Sequence, residues 1–425
     1  MSRSGTEKRK LLPAILWLAS ALTVCASVAV AQPFALKDGD TVVFYGDSIT
    51  AQRAYTRYAE EFALTRYPTL HIRFANAGVP GDTASGGYTG TMAERVARDV
   101  APYEPNKITV MLGMNDGGWG YGSPQQIDAD FQARYNTLLR ALHQTAPDAD
   151  LTLISSTPYD EITHGTEFPG YSRMIDRLAN DVSQIAAQKD AGTFLFADFH
   201  LAMQDALERA KASEPKLASL LIPDRIHPAK TSHWIMAVAL MEAWHVNPVV
   251  SSVSLNADGK VIASDRAQVS NLVKSSAGLQ WTQLDEALPL PLDFNDAMTP
   301  LLLQISNIAN FDQQMLRVES LAQGKYQLSI DGKPIATFTR DELHRGVNLA
   351  LQKTPMLEQA REIDSIEEQR AELDHARFML GADVKPIPTT SIAEATIRAA
   401  QTELDQKVRK QLSPRPHQFE LRLVQ

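Results

Sequence analysis

Between Thr41 and about Trp244, short apolar runs of strand length alternate with stretches of helical periodicity, and this alternation restricts the fold more than any other feature of the chain. The runs are Thr41 to Tyr45, His71 to Phe74, Ile108 to Leu112, Leu151 to Ser155, and Thr193 to Ala197. Strands separated by helices run parallel and are joined by right-handed crossovers, which predicts a three-layer α/β/α domain. The clearest helix opens at Ser123-Pro124, a cap followed by proline at the first helical position. It places Ile127, Phe131, Leu138 and Leu142 on one face and stops before Pro147. Another follows Thr50, with Tyr55, Tyr58, Ala59, Phe62 and Ala63 at helical spacing.

Past Asn247-Pro248 the texture changes. Strand candidates lie at Val249 to Leu255, Leu316 to Leu321, Tyr326 to Asp331 and Pro334 to Thr339, with Asp331-Gly332 a strong hairpin signal. Leu288 to Pro291 is proline-rich, and charged helical patterns cover Met356 to Phe378 and Ile392 to Leu412. Residues 32–248 are therefore expected to form the principal α/β domain, and residues 249–425 a mixed α+β accessory region. A carbohydrate-binding module would need exposed aromatic platforms. Only Trp281 and Tyr326 are candidates there, so a packing extension is the favoured reading.

The N-terminus carries Arg3, Lys8, Arg9 and Lys10, then a short apolar run from Leu11 to Val24, then Ala29-Val30-Ala31 before Gln32. That is the layout of a cleaved secretory signal, residues 1–31, and it implies an exported, periplasmic or secreted protein. A membrane anchor fits less well because the run is short and interrupted. A lipoprotein signal at Cys25 fits less well because Val24 is bulky. Cys25 is the only cysteine, so cleavage leaves none and removes disulfide, thiol and Cys-zinc chemistry. The ten histidines show no metal-ligand spacing, and neither a metal nor a cofactor is implied. Loss of residues 1–31 takes four basic groups and Glu7, shifting the net charge from −9 to −12. Such acidity argues against nucleic acid or an anionic membrane as a partner, and no membrane span is expected after cleavage.

Four polar signatures lie along the α/β region. The first run leads into Tyr45-Gly46-Asp47-Ser48-Ile49-Thr50, which sets a hydroxyl where a strand ends and a helix starts. A serine there sits beside free backbone N–H groups at the positive end of a helix dipole; taken alone, it fits a helix cap as well as a nucleophile. Near the end of the second run is Asn76-Ala77-Gly78-Val79-Pro80-Gly81-Asp82-Thr83, with Gly78 the candidate backbone donor or a simple turn glycine. The third run ends in Leu112-Gly113-Met114-Asn115-Asp116, whose Asn115 amide could donate to an oxyanion or merely close a turn. Asp224-Arg225-Ile226-His227 puts a carboxylate three residues before an imidazole, the spacing for a base and its orienting group or for an aspartate capping a turn beside a surface histidine. Asp198 and His200 are a competing pair, with Asp198 read as a helix cap. Trp119 and Tyr121, in the glycine-rich stretch Gly117 to Gly122, are candidate substrate contacts on a mobile rim, and Asp47 is a third candidate contact.

The order Ser48, Gly78, Asn115, Asp224 with His227 resembles the SGNH hydrolases, also called the GDSL family, over about residues 40–245. The chain departs from the common pattern at Ile49-Thr50 and Met114. The resemblance implies a flavodoxin-like α/β hydrolase domain. In it Ser48 is the nucleophile, His227 the base and Asp224 its orienter, and the Ser48 and Gly78 N–H groups with the Asn115 side chain form the oxyanion hole. Residues 326–358 resemble an extension found in some large exported bacterial members. The expected activity is hydrolysis of small acyl esters, acetyl most plausibly, on an acylated small molecule or polysaccharide. A lipase, thioesterase, lysophospholipase or acyltransferase with the same triad is the alternative within the family, and a carbohydrate-binding protein on a hydrolase-like fold the alternative outside enzymology.

Overall fold

The five apolar runs become one parallel sheet. The structure is a computed structural model that describes Met1 and residues 33–424, apart from 189–193, 277 and 383–387; the signal sequence expected over residues 1–31 lies, Met1 aside, outside the described residues. The strands are β1 (Thr41–Gly46), β2 (Arg73–Gly78), β3 (Lys107–Met111), β4 (Asp150–Ile154) and β5 (Leu195–Ala197). They stand in the order β2-β1-β3-β4-β5 with every pairing parallel. This is the flavodoxin-like order, in which the winding reverses after β2 and opens a crevice between β1 and β3 at the carboxyl ends of the strands. The runs read as continuous apolar segments because helices cover both faces. Val42 and Phe44 of β1 face one core, and Val43 and Tyr45 face the other.

Helices α2 (Ala54–Arg66), α6 (Phe199–Ser213) and α7 (His233–Ala243) contribute to the first core. Helices α3 (Met92–Asp99), α4 (Pro124–Thr145) and α5 (Tyr171–Ala186) contribute to the second. A single turn, α1 (Ser48–Ala51), links β1 to α2. Ser123 caps α4 by accepting from the Gln126 N–H at 3.2 Å, as the Ser-Pro signature implied.

Residues after 248 build two further sheets. A four-stranded sheet runs Val347–Asn348, Gln313–Glu319, Val249–Asn256, Lys260–Asp265; a five-stranded antiparallel one runs Ala267–Ser275, Gly278–Asp285, His417–Leu423, Lys325–Ile330, Lys333–Thr339. Asp331 and Gly332 take φ of 50° and 75°, which is the two-residue hairpin turn read from the sequence. Helices α8 (Pro355–Ala382) and α9 (Pro388–Gln411) pair with each other, and their apolar residues Met356, Ile363 and Val408 join the core between these sheets. Trp281 and Tyr326 lie in that core with 1% and 4% exposure, so neither can serve as a carbohydrate platform.

This region is not detached from the α/β domain: the chain from Pro33 onward is one compact unit. Leu290, Leu301, Ile308 and Phe311 belong to the first hydrolase-side core. Arg66 at the end of α2 and Asp312 form an ion pair at 3.0 Å with both side chains fully buried. Asp312 also accepts from the Leu290 N–H at 2.9 Å, and Arg66 donates to the Asn247 carbonyl at 2.9 Å. Burial pushes the Asp312 carboxyl up to about 6 and the Arg66 guanidinium down to about 10. Breaking one side of such a pair strands a charge in low dielectric. Asp312→Asn is therefore expected to destabilise the protein by about 3–5 kcal/mol, read from the denaturant midpoint at unchanged slope.

Candidate active site

The β1 strand hands its last residues directly to a helix turn. Asp47, with extended φ/ψ, is the N-cap of α1, and its Oδ1 accepts from the Ile49 N–H at 3.0 Å. Ser48 thus occupies the first helical position, and its own N–H has no partner among the described residues. Asp47 has no solvent exposure, so it supports the turn and cannot be the substrate contact expected from the sequence.

The loop before α7 brings the other signature to the same place. Asp224 Oδ1 accepts from the backbone N–H groups of Ile226 and His227 at 3.0 and 2.7 Å, which curls the loop so that Oδ2 lies 2.7 Å from His227 Nδ1. A carboxylate only accepts, so Nδ1 carries the imidazole proton. Nε2 is then the acceptor facing Ser48 Oγ at 2.8 Å. Burial raises the Asp224 carboxyl, but the His227 backbone N–H, its imidazole and the Ile226 N–H outweigh this and hold it below its ordinary 3.8. The His227 side chain is 32% exposed and that of Asp224 56%, so the row of groups opens to solvent and can meet a large substrate.

Asn115 follows β3 and is half-buried; its Nδ2 donates to the Asp82 carbonyl at 2.9 Å, leaving its second N–H free among the described residues. Beneath it Asp47, Asp82 and Asp116 are buried, and burial is the main force raising their carboxyls to about 7, 6 and 7. Asp82 is paired with Arg95 at 3.2 Å, and Asp116 accepts from the Ala84 N–H at 3.1 Å. Groups so raised keep their protons further toward neutral pH. They then add less negative charge beside a developing oxyanion than ordinary aspartates would.

Residues 44–235 match the GDSL-like lipase/acylhydrolase family. Residues 44–235 form a domain of that family. It is a carboxylic ester hydrolase. Over 219 residues this acylhydrolase is 28% identical to an acetylxylan esterase of Geobacillus stearothermophilus, a match covering 48% of the chain and 93% of that enzyme. The fold of a gut microbial diltiazem-metabolizing enzyme superposes on it with a TM-score of 0.75 at 24% identity, covering 92% of this chain and 98% of that one. The architecture of residues 249–424, and not only the hydrolase core, therefore recurs in another protein.

Within the acylhydrolase, Gly78 does not have the free N–H expected of a donor: it is spent on Asn76 Oδ1 at 3.0 Å. The residue is glycine for a packing reason, since a Cβ there would come within 2.4 Å of the Ala51 nitrogen and 2.6 Å of the Thr50 carbonyl carbon. Three residues on, Gly81 is exposed, takes φ of +75°, and keeps its N–H unpartnered among the described residues. Asn115 contacts this same loop through the Asp82 carbonyl. The sequence offered both glycines in one block; only the hydrogen-bond accounting separates them.

Trp119 and Tyr121 part company. Trp119, at φ 47°, stacks on Tyr171 with ring centroids 4.4 Å apart and meets Tyr159 and Phe168 edge-on at 6.4 and 5.9 Å. Tyr121 is 83% exposed with no ring partner among the described residues. Tyr159 and Phe168 were missed in the sequence. Their signal was position, in the connection after β4 at the same sheet edge as Ser48. Asp198 is a helix cap as read, accepting from the Leu201 N–H at 3.0 Å, and His200 is occupied by Ser156 and Asp176.

Proposed function

We propose that this protein is an exported serine esterase that removes acetyl groups from a polysaccharide through an acyl-enzyme. The observation that carries the chemistry is the unbroken row Asp224, His227, Ser48 with successive contacts of 2.7 and 2.8 Å. Ser48 Oγ attacks the ester carbonyl as His227 Nε2 takes its proton, and Asp224 stabilises the imidazolium. His227 then returns the proton to the leaving sugar oxygen, and water repeats the sequence to release acetate. The oxyanion is held by the Ser48 N–H, the Asn115 side chain and the Gly81 N–H, with Gly81 replacing Gly78 in that role. The acetylxylan esterase relative supports a polysaccharide acetyl ester as substrate, and the basic-apolar-small N-terminal layout supports export.

Acetate release from acetylated xylan and acetylated pectin, set beside a chain-length series of aryl esters, tests this reading. Activity peaking at acetyl supports it; activity peaking at eight carbons or longer would replace it with a lipase. Asn115→Ala is expected to lower kcat by about 10²–10³-fold with little change in KM, because the amide acts on charge that exists only in the transition state.

A further inference from the structure

The helix turn that carries Ser48 borders a cavity that is not itself lined by Asp224, His227 or Ser48. A cavity of about 340 Å³ is lined by Ala51 and Gln52 at the end of the nucleophile's helix turn, by Pro228 next to His227, and by Glu368, Glu372 and His375 of α8. The Gln52 N–H donates to the Ser48 carbonyl at 3.0 Å, which fixes the residue at the nucleophile's turn.

Gln52 is exposed, yet its amide is oriented. The buried His233 accepts the Tyr55 N–H on Nδ1 at 3.2 Å, so its proton resides on Nε2, and that N–H faces Gln52 Oε1 at 2.9 Å. The Gln52 oxygen is thereby taken, and its NH2 group, without a partner among the described residues, remains for a ligand in the cavity. On the opposing element Glu372 is exposed and, although Arg53 across the cavity attracts it electrostatically, makes no hydrogen bond or ion pair among the described residues, whereas its neighbour Glu368 is tied to Lys230. Helix α8 is pinned here by the Arg57–Asp364 and Arg370–Glu60 ion pairs and by a 3.1 Å contact between Arg53 Nη1 and His375 Nδ1.

We infer that this cavity is a subsite for a sugar ring next to the one bearing the ester, with the Gln52 amide donating to one ring hydroxyl and the Glu372 carboxylate accepting from another. It rests on the esterase reading and adds to it that residues 355–382 supply one wall of the substrate site. A fixed donor and a free acceptor lining one chamber suit a polyhydroxylated ligand, and an alkyl chain would leave both unsatisfied.

The test compares acetylated xylo-oligosaccharides with phenyl acetate, whose leaving group has no sugar hydroxyls. For Gln52→Ala and, separately, Glu372→Ala, the ratio of kcat/KM on oligosaccharide to kcat/KM on phenyl acetate is expected to fall about tenfold, chiefly through KM, the size of one lost hydrogen bond. Both positions are exposed, so thermal midpoints should stay near wild type. An unchanged ratio in both variants overturns the subsite, as does a wild-type protein that cleaves phenyl acetate but no acetylated oligosaccharide. Wild-type failure on both esters would instead overturn the esterase reading beneath it.

Discussion

Ser48→Ala is expected to lower kcat for acetyl esters by about 10⁴–10⁶-fold while leaving the fold and its thermal midpoint nearly unchanged. The two halves of that expectation have separate causes. The hydroxyl is the only group facing His227 Nε2 among the described residues, so its removal ends covalent catalysis and leaves oxyanion binding alone. Stability survives because the cap of α1 is Asp47, whose carboxylate accepts the Ile49 N–H, and alanine is a good first helical residue. A serine acting as the cap would behave in the opposite way, costing about 1 kcal/mol of stability on replacement and leaving the chemistry intact. Parallel kinetics and thermal melts of one variant therefore decide between the two roles that the sequence left open.

Asp224→Asn is expected to cost about 10⁴-fold in kcat. The asparagine carbonyl can still accept the Ile226 and His227 N–H groups, so the loop should keep its curl. What changes is the atom facing His227 Nδ1: an amide NH2 there favours the tautomer with the proton on Nε2, which cannot accept from Ser48 Oγ. Binding should be little affected, since among the described residues Asp224 contacts only its own loop and the imidazole. The loss belongs in kcat rather than KM. Equal activity in Asp224→Asn and wild type, measured across pH on an aryl acetate, would place the orienting role elsewhere.

The parallel sheet was legible because both of its faces are buried, which turns each strand into an apolar run. The runs missed the observed boundaries most at β2, where the strand is Arg73–Gly78 and carries the polar Asn76. The strands Lys260–Asp265 and Ala267–Ser275 were invisible because they are largely exposed and the brief alternation of Ala267 and Val269 breaks at the bulge between Ser270 and Val273. Gly278–Asp285 hid for a different reason: its buried face reads Leu279, Trp281, Gln283, Asp285, so two of four inward residues are polar and satisfied through Gln314 and one another.

At the site, spacing was enough for Asp224 and His227 because three residues of loop can close one hydrogen bond, and proximity to Ser48 followed from the shared sheet edge. Spacing could not choose between Gly78 and Gly81, since the difference is whether an N–H is already spent. Nor could it reveal that α8, more than 300 residues after Ser48, contacts Arg57 in the helix that follows the Ser48 turn and Arg53 at its N-cap. Long-range packing of that kind leaves no local pattern in sequence.

Fluorophosphonate labelling with peptide mapping tests the nucleophile most directly. One label per chain on the peptide containing Ser48, with hydrolysis lost in proportion, is the expected result. A label on a different serine, or full hydrolysis of aryl acetates by protein whose Ser48 remains unlabelled under saturating reagent, would contradict it.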